Sequence, residues 1–181
     1  TKVAREEAAA AQQQKAANEA LMNEALVGIR AGTLGRSGID DLITSGRVSD
    51  YNDMVKLDSA LEKYQKDIGL AALAEQKLAT PNAVWDPTST DDKNMLNAAF
   101  GDKGKAAVQT TNEEYFANNI VPMVRQAQDI PTDLSGLLQG LVRSGDAKRM
   151  GYAMDALSLL QQVSPDAYAH RIPESIQNDV A

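Results

Sequence analysis

A five-residue phrase occurs twice in this chain: Leu42-Ile43-Thr44-Ser45-Gly46 and Leu141-Val142-Arg143-Ser144-Gly145. In each place an apolar helical stretch runs into the phrase, and a helix rich in Met, Leu and Tyr follows it. Glycine ends helices at low cost because, lacking a Cβ, it takes left-handed backbone angles without a clash. The phrase therefore predicts the elbow of a helical hairpin, used once in each half of the chain. That points to an all-α fold of about seven helices in two hairpin-based halves, solenoid-like or bundle-like. Stacked helical hairpins are scaffolds and binding surfaces more often than reaction centres.

Residues 3–31 read as one long helix. Its tract from Ala8 to Ala17 is simple in composition but made of good helix formers. The apolar stripe is thin until Met22, Leu26 and Ile29, so the first turns are expected to be solvated, frayed or packed against chain outside this sequence. Gly32 and Gly35 end the helix. Ser37 with Asp40 predicts an N-cap and capping box for a short helix over 38–45. From Ser49-Asp50 a long helix carries Met54, Leu57, Leu61, Tyr64, Ile68, Ala71 and Leu78, mostly three and four residues apart. This seam predicts a nearly antiparallel neighbour, for which the Ala-rich first helix is the natural candidate. Residues 80–91 hold Pro81, Pro87 and many turn formers, and read as the joint between the halves. The expected organisation is thus a long helical hairpin over 1–80 and a smaller multi-helix half over 81–181.

In that second half, Ser89 with Asp92 and Thr111 with Glu114 form two further capping boxes, opening helices over 90–100 and 111–127. Gly101 and Gly104 interrupt the first. Pro122 sits inside the second, where it removes an N–H and crowds the preceding turn, so a kink or split is expected. Thr132 is expected to cap the most regular helix, which puts Leu134, Leu137, Leu138, Leu141 and Val142 on one stripe. After Gly145 a helix carries Met150, Ala153, Met154, Leu157, Leu160 and Val163. Ser164-Pro165 then starts a short helix to about His170. The tail beyond Pro173 is expected to be loose. No stretch of useful length alternates apolar and polar residues, so no strand is predicted.

Charge narrows the choice of partner. The net charge is −7 and no stretch holds a dense Lys/Arg cluster. An acidic surface repels phosphate backbones, which argues against nucleic acid and against electrostatic attachment to a membrane surface. No apolar run approaches the ~20 residues of a membrane span. The lack of cysteine excludes disulfides and thiolate metal sites. The chain opens without Met and inside a helix, and so reads as a piece of a longer polypeptide.

Four residue groups could carry chemistry, and each has a plainer reading. His170 and Glu174 would share a helix face and could hold a metal, but Pro173 lies between them and no second His exists. Asp86, Thr88, Thr90 and Asp92 alternate as in a calcium loop, yet Asp91 stands where that loop needs glycine and Asn97 where it needs glutamate. Acidic residues gathering at a helix N-terminus explain the pattern better. The pairs Glu6-Glu7, Asp40-Asp41, Asp91-Asp92 and Glu113-Glu114 are neighbours on helices and point in different directions, whereas a glycosidase needs carboxylates facing each other across a cleft. Gly101-Asp102-Lys103-Gly104 has no preceding strand and matches no phosphate loop. No catalytic residue, cofactor site or metal site is therefore assigned. Trp85, alone of its kind in the Pro-rich loop, reads as a plug pinning that loop, with a binding anchor as the other reading. Leu57, Leu61, Tyr64 and Ile68 mark the expected main packing face, and with Trp85 they are the candidate partner-binding residues.

From Phe116 onward the chain resembles a known kind of protein. The residues that carry the likeness are Val121-Pro122-Met123-Val124-Arg125-Gln126-Ala127, Ile130-Pro131, Leu134, Leu137-Leu138, Leu141, Ser144-Gly145, Ala153-Met154-Asp155-Ala156-Leu157 and Pro165-Asp166-Ala167. This cadence of helices and breaks, over roughly 115–170, is similar to the helical middle regions of large internal or ejection-type virion proteins of tailed phages and prophages. Some of these carry a lytic transglycosylase domain elsewhere in the chain. The resemblance implies a structural and interaction module that packs through helix faces, located in the virion or in the host cytoplasm during assembly. The implied partners are other segments of the parent protein, other virion proteins or further copies of the chain. The rival it implies is a helical accessory domain of a peptidoglycan-degrading virion transglycosylase. The context of that enzyme's catalytic glutamate is not recognisable here, so no catalytic residue carries over. A tetratricopeptide-like adaptor is disfavoured, because two distant related hairpins do not make an array of roughly 34-residue repeats.

Overall fold

The computed structural model describes residues 2–180, and among them there are helices and no strand. The order is α1 (Lys2–Arg30), α2 (Arg36–Thr44), α3 (Tyr51–Ala79), α4 (Thr90–Gln109), α5 (Glu113–Tyr115), a π-helical segment (Phe116–Ile120), α6 (Val121–Ala127), α7 (Thr132–Val142), α8 (Ala147–Val163), α9 (Pro165–Arg171) and α10 (Glu174–Val180). Residues 113–127 form one continuous rod. With that rod counted once, the described residues make nine helices where about seven were expected. The helical stretches not expected are the tail and the part of α4 beyond Gly101. The tail is not loose: α10 buries Ile176 against the same core as Ile172. Two compact units divide the chain between Asp67 and Ile68, inside α3, and the 80–91 loop lies within the second.

Both copies of the repeated phrase end a helix in the same way. Gly46 and Gly145 have φ of +72° and +73°. The hydroxyl of Ser45 donates to the carbonyl of Leu42, and that of Ser144 to the carbonyl of Leu141. A side chain at either glycine would meet open space, so the left-handed backbone is what selects the residue.

The core of the first unit joins Met22, Ala25 and Ile29 of α1, Ile39 of α2, Val48, and Leu57 and Leu61 of α3. Tyr64 packs on its margin, and its hydroxyl fills the space that a side chain at Gly32 would need. Arg36 forms an ion pair with Asp58. Gly32, just past α1, therefore lies beside Tyr64, while Met22 and Leu26 share a groove with Asp50 and Asp53 at the start of α3. α1 and α3 run in the same direction, which corrects the antiparallel expectation. The reason is α2, which supplies the return leg between them. The seam of α3 also stops early. Leu57 and Leu61 are buried, but Ile68 is 50% exposed.

The second unit holds a large core and a small one. Phe100, Val108, Phe116, Ile120, Val124, Ile130, Leu134, Leu138, Leu157, Leu160, Tyr168 and Ile176 are among the residues of the first. Ala74, Trp85, Leu96 and Ala127 make the second. Three expected caps fall elsewhere. α2 starts one residue before Ser37, and Gly35 occupies its N-cap without a side-chain bond. Thr111 takes φ +54° and ends α4, so Asn112 becomes the cap of α5 and accepts from Tyr115 N–H. Thr132 is the first residue of α7 rather than its cap, and its hydroxyl accepts from Asn97 Nδ2 at 2.7 Å. The expected break at Gly101 is present: its backbone is non-helical (φ +54°, ψ −169°), so α4 is kinked there, and a second helical stretch runs on through Gly104 to Gln109. Pro122 neither ends nor splits its rod, because the π-helical turns of Phe116–Ile120 come just before it. The wider i→i+5 turn leaves room for a proline ring that an α-helical turn would crowd.

Candidate functional site

Lys2 to Ala20, most of α1, is exposed on every side of the helix. The burial of Met22, Ala25 and Ile29 comes from the last third alone. The sequence explains this directly. Going back from Ile29 at steps of four and three, the positions are Ala25, Met22, Asn18, Lys15, Ala11, Ala8 and Ala4. The stripe that seals the core thus continues along α1, but in residues too small or too polar to build one. Where it leaves the core, a groove of about 830 Å³ opens between α1 and the start of α3. Ala11, Lys15, Asn18 and Met22 form its floor, and Asp50 and Asp53 stand on its far wall. Asp50 is engaged there, accepting from the N–H groups of Asn52 and Asp53 at 2.9 and 3.2 Å. Lys56 pairs with Asp53 at 3.0 Å, and Lys15 lies 4.0 Å from Glu19.

The acidic run at 86–92 is a structural knot. Asp92 is buried, accepts from Lys77 Nζ at 2.6 Å and from Asp86 N–H at 2.7 Å, and its own N–H donates to Ser89 Oγ at 3.3 Å. Burial opposes its ionisation. The Lys77 and Asp86 hydrogen bonds and the Lys77 charge outweigh burial and hold its carboxyl below the usual carboxylate value. Asp86 is lowered as well, chiefly by the Thr88 hydroxyl and N–H that donate to it. Lys77 Nζ also sits 4.7 Å from the Trp85 ring centroid, a cation–π distance. These carboxylate oxygens are taken up by an ammonium and by backbone N–H groups, which is the role of a loop clasp. Trp85 is 8% exposed and packs with Ala74 and Leu96.

A second clasp escaped the sequence reading. Asp129 and Arg171 form a two-pronged ion pair, with Nε to Oδ1 at 2.9 Å and Nη2 to Oδ2 at 2.8 Å. Their side chains are 5% and 11% exposed. The Arg171 Nη2 also donates to the Pro87 carbonyl at 2.7 Å. The hydrogen bonds that Arg171 donates to the Asp129 carboxylate raise its pKa further. Nothing in the spacing of Asp129 and Arg171 could pair them, because the fold alone brings them together.

Of the residues read as candidate partner contacts, Leu57 and Leu61 are spent in the core of the first unit and Tyr64 flanks it. Ile68 is exposed, and Trp85 is buried in the second unit. His170 is exposed at the end of α9, and Glu174 opens α10. Among the described residues, no three His, Asp or Glu side chains are placed to hold a metal, and no helix is long and apolar enough to cross a membrane. Comparison of the chain with protein-family models, with curated proteins and with solved structures returns no match.

Proposed function

We propose that the chain is a structural and interaction module of a phage-derived virion protein, working through packed helix faces rather than through a reaction. The observation that carries the interaction part is α1, which stays helical over residues 2–20 with no packing partner in its own unit. Helical stability in proteins comes mostly from packing one face, so an uncovered segment of this length is expected to gain order from something it docks against. The virion part rests on the cadence of residues 115–170. Partners on this reading are other segments of the parent protein, other virion proteins or further copies of the chain. Its place is the virion, or the host cytoplasm during assembly.

The buried carboxylates support the same reading, since Asp92 and Asp129 are each neutralised by a cation and hold loops in place. The test is a turbidity assay with the purified chain on a peptidoglycan suspension. No clearing is expected. Clearing that a single Glu or Asp substitution abolishes would move the chain to the rival reading, a part of a peptidoglycan-degrading virion transglycosylase.

A further inference from the structure

We propose that the exposed part of α1 pairs antiparallel with the same segment of a second copy, each helix seating its first turns in the other copy's α1/α3 groove. The proposal rests on reading the chain as an interaction module, and it names the partner.

Two features of the seam favour this partner and this direction. The first is shape. The seam positions are small at the start (Ala4, Ala8, Ala11) and large further on (Lys15, Asn18, Met22). Run backwards against itself, the stripe sets Ala4 opposite Met22, Ala8 opposite Asn18 and Ala11 opposite Lys15, so every layer joins a small residue to a large one. A parallel pair stacks small on small and large on large. The second is charge. Arg5, Gln12 and Glu19, seven residues apart, form one edge of the seam. In an antiparallel pair each edge faces the same edge of its partner. With Gln12 at the two-fold axis, Arg5 of each copy meets Glu19 of the other. The opposite edge, Glu7, Gln14 and Leu21, brings no like charges together. In a parallel pair the edge of Arg5 and Glu19 faces the edge of Glu7 and Gln14, which offers no such exchange. The same register carries Lys2 and Arg5 to the end of the groove walled by Asp50 and Asp53. The arrangement is isologous and closed, as most homodimers are.

Sedimentation equilibrium of the chain over a concentration series should show a mass approaching twice 19.4 kDa. Arg5→Glu and Glu19→Arg should each raise the dissociation constant several-fold, and R5E/E19R together should restore it, because the exchanged pair is again opposite in sign. The chain has no cysteine, so Gln12→Cys provides a single thiol at the proposed axis. A short bismaleimide should join two Q12C chains and leave a Glu6→Cys variant, whose thiol lies on the far side of α1, unjoined. A mass of one chain at every concentration overturns the pairing, as does a double variant no better than the singles, or equal cross-linking of Q12C and E6C. None of these results bears on the turbidity assay, so failure of self-pairing and failure of the module reading are told apart.

Discussion

Asp92 decides whether the acidic run at 86–92 is chemistry or architecture. Its carboxyl titrates below 3.8 in the folded chain, so its contribution to stability is present above about pH 4 and is lost as pH falls through the lowered value. Asp92→Asn should therefore cost about 1–3 kcal/mol at neutral pH. The gap between variant and parent should close on acidification, as measured by urea denaturation across pH. Tyr152 gives the opposite sign. Burial, helped by the charge of Glu113, pushes its hydroxyl up from 10.0 to about 12. Its share of stability is intact below pH 10 and drains away as pH rises toward 12. Tyr152→Phe should flatten the alkaline fall of the melting temperature in that window. Breaking the Asp129–Arg171 pair with Asp129→Asn should cost about 3–5 kcal/mol, because a buried guanidinium is left without its counter-charge. At this scale the sequence was legible where a residue's partner is its near neighbour. Ser89 and Gly145 announce themselves. Asp129 and Asn97 do not, since each acts on residues more than a helix away: Asn97 in α4 accepts from Asp133 N–H and so stands in for the cap that α7 lacks.

Among the elements, the long ones declared themselves and the seams were legible in part. Leu57 and Leu61 are core, as a heptad run implies. The run beyond them fails because burial depends on what lies opposite, and Ile68 has little there. Leu61→Ala and Leu138→Ala should each cost about 2–5 kcal/mol, while Ile68→Ala should stay within about 0.5 kcal/mol of the parent in the same denaturation assay. The α1–α3 direction was not readable from either helix, because it is set by α2, a nine-residue return leg. Pro122 was visible as a disturbance. That a π-helical segment absorbs it depends on Phe116 and Ile120 being held in the core at the same time. A tail of seven helical residues escaped notice because its one buried residue, Ile176, makes no periodic pattern.

For the chain as a whole, each of the two units closes its own core, and among the described residues the first two-thirds of α1 form a long segment left uncovered. An all-α chain could be read from the hairpin phrase and from the lack of alternation. Its working surface could not, because Ala and Gln at seam positions resemble idle helix filler until the end of the core is located at Met22. The same alanines that make α1 a good helix former let a second backbone approach closely, so the stripe is compact rather than greasy. The most direct measurement is amide hydrogen exchange on the intact chain at low and at high concentration. Protection of residues 2–20 should rise steeply on concentrating the protein, while α7 and α8 keep constant protection in their sealed core. Residues 2–20 exchanging at the unprotected rate at every concentration would contradict the account.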